Sequence, residues 1–185
     1  MKKETLVALF IAFLMVSSVL GFVMGQSFSN PKTRYNDFVF EFRENRYYSE
    51  IKDKEISFYA LPETLENVEL SEEFITVMQN TKMIYFTSDV NDILIEPISV
   101  LLYDISTNVF ETDSLYVQPA FTVNGTTLPK ITCEDAIPSV PVVYVKSSNE
   151  TSQSYNNNCL ILEVQSSYDV AVYRDRILYG YYNVI

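Results

Sequence analysis

Histidine is absent from these 185 residues, and so is tryptophan. Without an imidazole, Ser-His-Asp and Cys-His catalysis, histidine-based zinc sites and histidine pH switching are excluded. Few common enzyme mechanisms survive that loss. The chain therefore leans away from catalysis, and no catalytic residue, metal or cofactor is assigned to it. Bases are also scarce, with 13 Lys and Arg against 24 Asp and Glu and a formal net charge of −11. So acidic a surface is repelled by nucleic-acid phosphates and by anionic lipid headgroups, which removes both from the expected partners. No second long apolar run follows the N-terminal one, so residues 26–185 read as one soluble body with a substantial core.

What is present begins with residues 5–25, an uncharged and mostly apolar run behind Met1-Lys2-Lys3-Glu4. About 20 such residues span a bilayer as a helix, so the run predicts a transmembrane anchor, and the bilayer becomes an expected partner. A cleaved signal peptide is the alternative, with secretion as its consequence. Its apolar core is usually 7–15 residues. The run here is longer, and its small-residue exits, Val19-Leu20-Gly21 and Val23-Met24-Gly25, are weak. Lys2 and Lys3 are balanced across the span by Lys32 and Arg34, so charge sets orientation only weakly. The two cysteines and the acceptor patterns Asn124-Gly125-Thr126 and Asn149-Glu150-Thr151 point outward, to a single-pass protein with its domain on the extracytoplasmic side. A protein partner at the cell surface is expected there.

Residues 26–36 read as a polar tether, and residues 37–185 as the extracytoplasmic α/β domain. In 37–60, Phe38, Phe40 and Phe42 alternate with Val39, Glu41 and Arg43; Tyr47 to Ile51 and Ile56 to Ala60 follow after polar breaks. This predicts a three-stranded antiparallel meander with an aromatic face. From residue 70 strands and helices alternate. Ser71 caps a short helix; 83–86 is an apolar strand; Pro97 lies in the first turn of a helix to about residue 107 with Ile98, Leu101, Leu102 and Ile105 on one stripe. Next come a strand over 115–122, where Pro119 suggests an edge or bulge, and a short turn at 133–136. Strands 142–145 and 160–164 are expected to pair as an antiparallel hairpin, before a helix over about 168–182. The fold class is thus α+β or α/β: a transmembrane helix, the meander, then a four-stranded mixed sheet with helices.

That βαβ-ββα order resembles the thioredoxin fold, and Ser139-Val140-Pro141-Val142-Val143 resembles the proline segment before its third strand. Where a thioredoxin carries Cys-x-x-Cys, this chain reads Thr87-Ser88-Asp89-Val90-Asn91-Asp92, so the resemblance implies a redox-inactive relative. The stretch Cys133…Pro141-Val142-Val143…Asn158-Cys159-Leu160-Ile161-Leu162…Asp175-Arg176-Ile177-Leu178-Tyr179 is similar to a family of small membrane-anchored archaeal proteins of unknown function, which implies no activity.

The candidate sites are few. Cys133 and Cys159 suit a structural disulfide, worth about 3–4 kcal/mol in the chain-entropy account; two buried thiols or a redox pair are the alternatives. Asp89, Asn91 and Asp92 gather oxygens at a strand end, where they form turns and helix caps or contact a ligand or cation. Asn124 and Asn149 are the glycosylation candidates. Arg174, Asp175 and Arg176 read as a solvated helix face, with Asp175 pairing to an arginine or capping a neighbouring element as the alternative. Tyr179, Tyr181 and Tyr182 read as core, or as a partner patch.

Overall fold

A computed structural model describes residues 3–25 and 30–185; within the first helix the side chains of residues 4, 6, 8 and 20–25 lie outside the description. The chain divides into two units, Met1–Pro31 and Lys32–Ile185. The first contains helix α1, Lys3–Gly25. Among the described residues no helix is long and apolar enough to cross a membrane.

The second unit begins with strands β1 (Lys32–Tyr35), β2 (Phe38–Arg43), β3 (Arg46–Ile51) and β4 (Lys54–Phe58), paired in sequence order as an antiparallel sheet. The meander therefore has four strands rather than three, and part of the expected tether is its first strand. Residues 26–29 of that tether lie outside the described residues. β1 escaped the sequence pattern because it is a charged edge strand. It is held by backbone pairing to β2 and by Lys32 facing Glu41 at 3.5 Å. The hairpin loops at 44–45 and 52–53 place both residues at positive φ, the type I′ geometry that matches strand twist. Phe40, Ile51, Ile56 and Phe58 are buried on one face.

Helices α2 (Pro62–Leu65) and α3 (Glu72–Asn80) follow, and Ser71 caps α3 by accepting from the Phe74 N–H at 3.2 Å. The remaining elements are β5 (Met83–Ser88), α4 (Ile95–Asp113), β6 (Tyr116–Phe121), a 3₁₀ turn (Cys133–Asp135), β7 (Val142–Ser147), β8 (Ser152–Asn156), β9 (Cys159–Val164) and α5 (Ser167–Tyr181). The strands form a five-stranded sheet in the order β6-β5-β7-β9-β8.

Several expectations change here. α4 starts before Pro97 and runs past residue 107, because its buried stripe continues from Ile105 to Val109 until Ser114 ends it in the left-handed conformation. Pro97 is the third helical residue, where the N–H would have had no intrahelical acceptor. β7 and β9 are parallel, not a hairpin, and Val142 stands opposite Cys159. The loop between them contains β8, antiparallel to β9 on the sheet edge. Its sequence, Ser-Gln-Ser-Tyr-Asn, is polar because only one side of an edge strand is covered. The sheet thus has five strands where four were expected. In place of the expected βαβ-ββα order, β5, β6, β7 and β9 all run parallel, and only β8 is reversed. Pro119 lies on β6, an edge strand, where a missing N–H breaks no ladder bond on the open side.

Candidate functional site

Helix α5 organises the interior. Val170, Tyr173, Ile177, Leu178, Tyr179 and Tyr181 are buried along it, and so are two charged residues, Arg174 at 2% exposure and Asp175 at 0%. The solvated-face reading of this pair is therefore overturned, in favour of the pairing and capping role for Asp175. Beyond its final residue β4 leaves backbone groups that no ladder serves, and α5 supplies their partners. The N–H groups of Tyr59 and Ala60 donate to Asp175 Oδ2 at 2.6 and 2.9 Å. Arg174 Nη1 donates to Asp175 Oδ1 at 2.7 Å and to the Ser57 carbonyl. The Tyr179 hydroxyl donates to the Ala60 carbonyl at 2.6 Å. Around these bonds the Tyr179 ring stacks on Phe58 at 4.2 Å, with Phe40 edge-on to both.

Burial pushes the Asp175 carboxyl above its ordinary value, while the Arg174 guanidinium and the two amides pull it back down. A buried pair of this kind ties the four-stranded sheet to α5 in one register, since losing either partner strands the other away from water. The cluster is incomplete on one side. Arg174 Nε and Asp104 Oδ2, from α4, face each other at 3.5 Å. That is too long for a good N–H···O bond, and neither buried atom has a hydrogen-bond partner among the described residues.

Cys133 and Cys159 form a disulfide with Cα atoms 5.3 Å apart. Because β9 is parallel to β7, Cys159 lies beside the start of β7, opposite Val142. The 3₁₀ turn is held by a capping box: Glu134 N–H donates to Thr132 Oγ1 at 3.3 Å, and Thr132 N–H donates to Asp135 Oδ2 at 2.8 Å. Cys159 is buried.

Asp89, Asn91 and Asp92 follow β5 at its C-terminal end. The Asn91 N–H donates to Asp89 Oδ1 at 2.9 Å, and Asp92 accepts from Leu94 N–H at 2.8 Å and from Ser147 N–H at 2.7 Å. Asp92 thereby pins the loop before α4 to the end of β7. Among the described residues no group of three or more metal-binding side chains occurs. Asn124 and Asn149 are exposed in separate loops. Tyr179, Tyr181 and Tyr182 are core residues, and burial raises the pKa of each, that of Tyr182 to about 12.

The structure thus brings together residues the sequence reading kept apart: Asp104 on α4, Ser57 to Ala60 after β4, and Arg174, Asp175 and Tyr179 on α5. One signal pointed there, three adjacent charges, Arg174-Asp175-Arg176, interrupting a run of mostly apolar and aromatic helical residues. No family model, curated protein or solved structure matches the chain.

Proposed function

We propose that this chain is a membrane-anchored protein whose domain stands on the outer face of the cell as a structural or interaction module. The observation that carries the reading is α1. It has 23 residues, a length of about 34 Å at the rise of an α-helix, and no charge from residue 5 to residue 25. Val7, Leu9, Phe10, Phe13 and Met15 on it are exposed to solvent, an arrangement that suits lipid better than water.

The Cys133–Cys159 bridge adds support, because structural disulfides persist in oxidising compartments. Exposed Asn124 and Asn149 agree with export, as candidate glycan acceptors. A thiol–disulfide helper is the weaker reading: Cys159 is buried, Cys133 is half-buried, and the two stand far apart in sequence and not as Cys-x-x-Cys. Cation or ligand contact at Asp89, Asn91 and Asp92 is weaker too, since Asp92 spends both oxygens on backbone amides.

Protease treatment of intact cells tests the proposal. The domain should be digested from outside, leaving an α1-bearing stub that alkaline carbonate does not extract from membranes. A chain that resists external protease until the cells are lysed, or that carbonate releases, refutes it.

A further inference from the structure

The two sheets have four edges, and three of them are blunted against further pairing. β1 carries Lys32 and Arg34, and β4 carries Lys54 and Glu55. On β6 the Tyr116 and Thr122 N–H groups donate to the Lys82 and Ser88 carbonyls, so Pro119 faces outward, where it has no N–H to offer. β8 has none of these devices: residues 151–158 contain no charge, proline or glycine. Its open side follows from the ladder. Val142 N–H donates to the Asn158 carbonyl and Ser148 N–H to that of Val164, so the even-numbered residues of β9 face β7. Cys159, Ile161 and Glu163 therefore face β8, opposite Asn156, Ser154 and Ser152. Gln153 and Tyr155 are left with their backbone N–H and C=O groups turned outward, unpaired among the described residues.

Beside this edge lies an open groove of about 450 Å3, bounded by the start of β8, the first turns of α5 and the α2 segment. Leu65, Val68, Val172 and Tyr173 give it apolar walls, and Glu69 and Asp169 add two carboxylates. Neither carboxylate is in an ion pair among the described residues. From α2 to α3 the chain holds Glu63, Glu66, Glu69, Glu72 and Glu73 and no Lys or Arg. Arg176 reaches this segment to donate to the Val68 carbonyl at 3.0 Å. The Tyr155 ring meets Phe74 of α3 at 5.9 Å, so Tyr155 and Gln153 point to the helix-covered face, the side on which the groove lies.

We propose that β8 takes up an extended segment of another protein as a sixth strand, with a Lys or Arg side chain of that segment in the groove. The outward groups of Gln153 and Tyr155 supply main-chain bonds, and every second side chain of the added strand falls on the groove side. The aliphatic stem of Lys or Arg lies along the apolar walls while its charge meets Glu69 and Asp169. A second copy of this chain is the poorer occupant. Its residues 147–158 offer no base, and pairing β8 with itself brings two acidic grooves together. The inference rests on the interaction-module part of the proposed function and not on the anchor, so protease exposure and peptide binding fail independently.

A fluorescent heptapeptide in which Thr alternates with Arg, its ends acetylated and amidated, tests this on the full chain in nanodiscs of uncharged lipid. Anisotropy should show saturable binding, about tenfold weaker for the same peptide with Glu in place of Arg. Hydrogen exchange should slow at the Gln153 and Tyr155 amides when the Arg peptide binds. Gln153→Pro removes one outward donor without touching the β9 ladder, so it should weaken binding about tenfold and leave the fold intact. Should that variant not fold, Glu69→Lys, at an exposed position, should make the two peptides bind alike. Several results overturn the proposal: no saturable binding, equal affinity of the parent chain for both peptides, or parent-like binding by folded Gln153→Pro. An unchanged preference in Glu69→Lys does so too, as does binding without protection of the two amides, which marks attraction to the acidic surface alone. Protection that appears without peptide and grows with protein concentration gives the edge to a second copy, and also overturns it.

Discussion

Asp175→Asn replaces one oxygen with an NH2 and leaves the shape of the side chain unchanged, yet it should be among the most damaging single substitutions in the domain. Asp175 Oδ1 meets Arg174 Nη1 at 2.7 Å, and Oδ2 meets the amides of Tyr59 and Ala60 at 2.6 and 2.9 Å. Every one of those partners is a donor. Whichever way the asparagine amide sits, its NH2 faces a donor, and the Arg174 charge loses its closest counter-charge at 2% exposure. Breaking a buried pair in this way costs about 3–5 kcal/mol. For a domain of this size each kcal/mol lowers Tm by about 2–4 °C, so a fall of about 6–20 °C is expected. Thermal and urea unfolding, followed by circular dichroism and by tyrosine fluorescence in a chain without tryptophan, measure it. In an Arg174→Met background the same substitution should cost about 2 kcal/mol less, because no guanidinium is left stranded. A loss under about 0.5 kcal/mol in the parent chain, or equal losses in both backgrounds, refutes the reasoning.

Reduction of the Cys133–Cys159 bridge, or its replacement by serines, should lower the unfolding free energy by about 3–4 kcal/mol, read as a shift in the urea midpoint with little change in native circular dichroism. Alkali should unfold the protein for a reason that can be traced to α5. Burial raises the pKa of Tyr179, Tyr181 and Tyr182, the last to about 12. The unfolded chain loses these phenol protons near pH 10 while the fold retains them. Their contribution is thus complete below about pH 10 and falls as pH rises beyond it. In a spectrophotometric titration these phenols should ionise only with unfolding, and a single smooth transition of all 14 tyrosines before unfolding contradicts this. Lys52→Met should reduce acid stability: burial raises the Asp113 carboxyl, but Lys52 at 2.6 Å pulls it below its ordinary value overall, so the pair's contribution is lost as pH falls through that lowered value. A parent-like acid unfolding midpoint in that variant removes the pair from the account. Ser114→Gly should stabilise by about 0.5–1 kcal/mol, because Ser114 ends α4 at a φ of 57° that glycine adopts without strain; a lower Tm counts against it.

Most elements were legible from periodicity. The alternating aromatics of β2 and the stripe Ile98-Leu101-Ile105 on α4 repeat with the period of the structure that buries them, and the short continuous apolar runs of β5, β7 and β9 mark strands buried on both faces. β1 and β8 were missed because edge strands owe their pairing to backbone bonds, which leave little trace in side-chain hydrophobicity. The direction of β9 was missed because its residues, buried on both faces, read the same in a parallel or an antiparallel sheet. The disulfide was anticipated from the presence of only two cysteines, without any knowledge of the parallel pairing that places Cys159 beside the start of β7.

The candidate site was the least legible part. Arg174 and Asp175 look like any charged pair on a helix surface until the end of β4 and the two residues after it are known to lie against them. Composition alone settled the absence of imidazole chemistry, the acidic surface and the apolar N-terminal run, because each depends on residue type and not on neighbours. Only the tertiary structure decided that two charges are buried, that Asp104 on α4 meets Arg174 on α5, and that Cys159 meets Cys133 beside the start of β7. Those outcomes turn on which backbone groups and side chains, distant in sequence, are left facing each other once water is excluded, and local pattern carries no record of that.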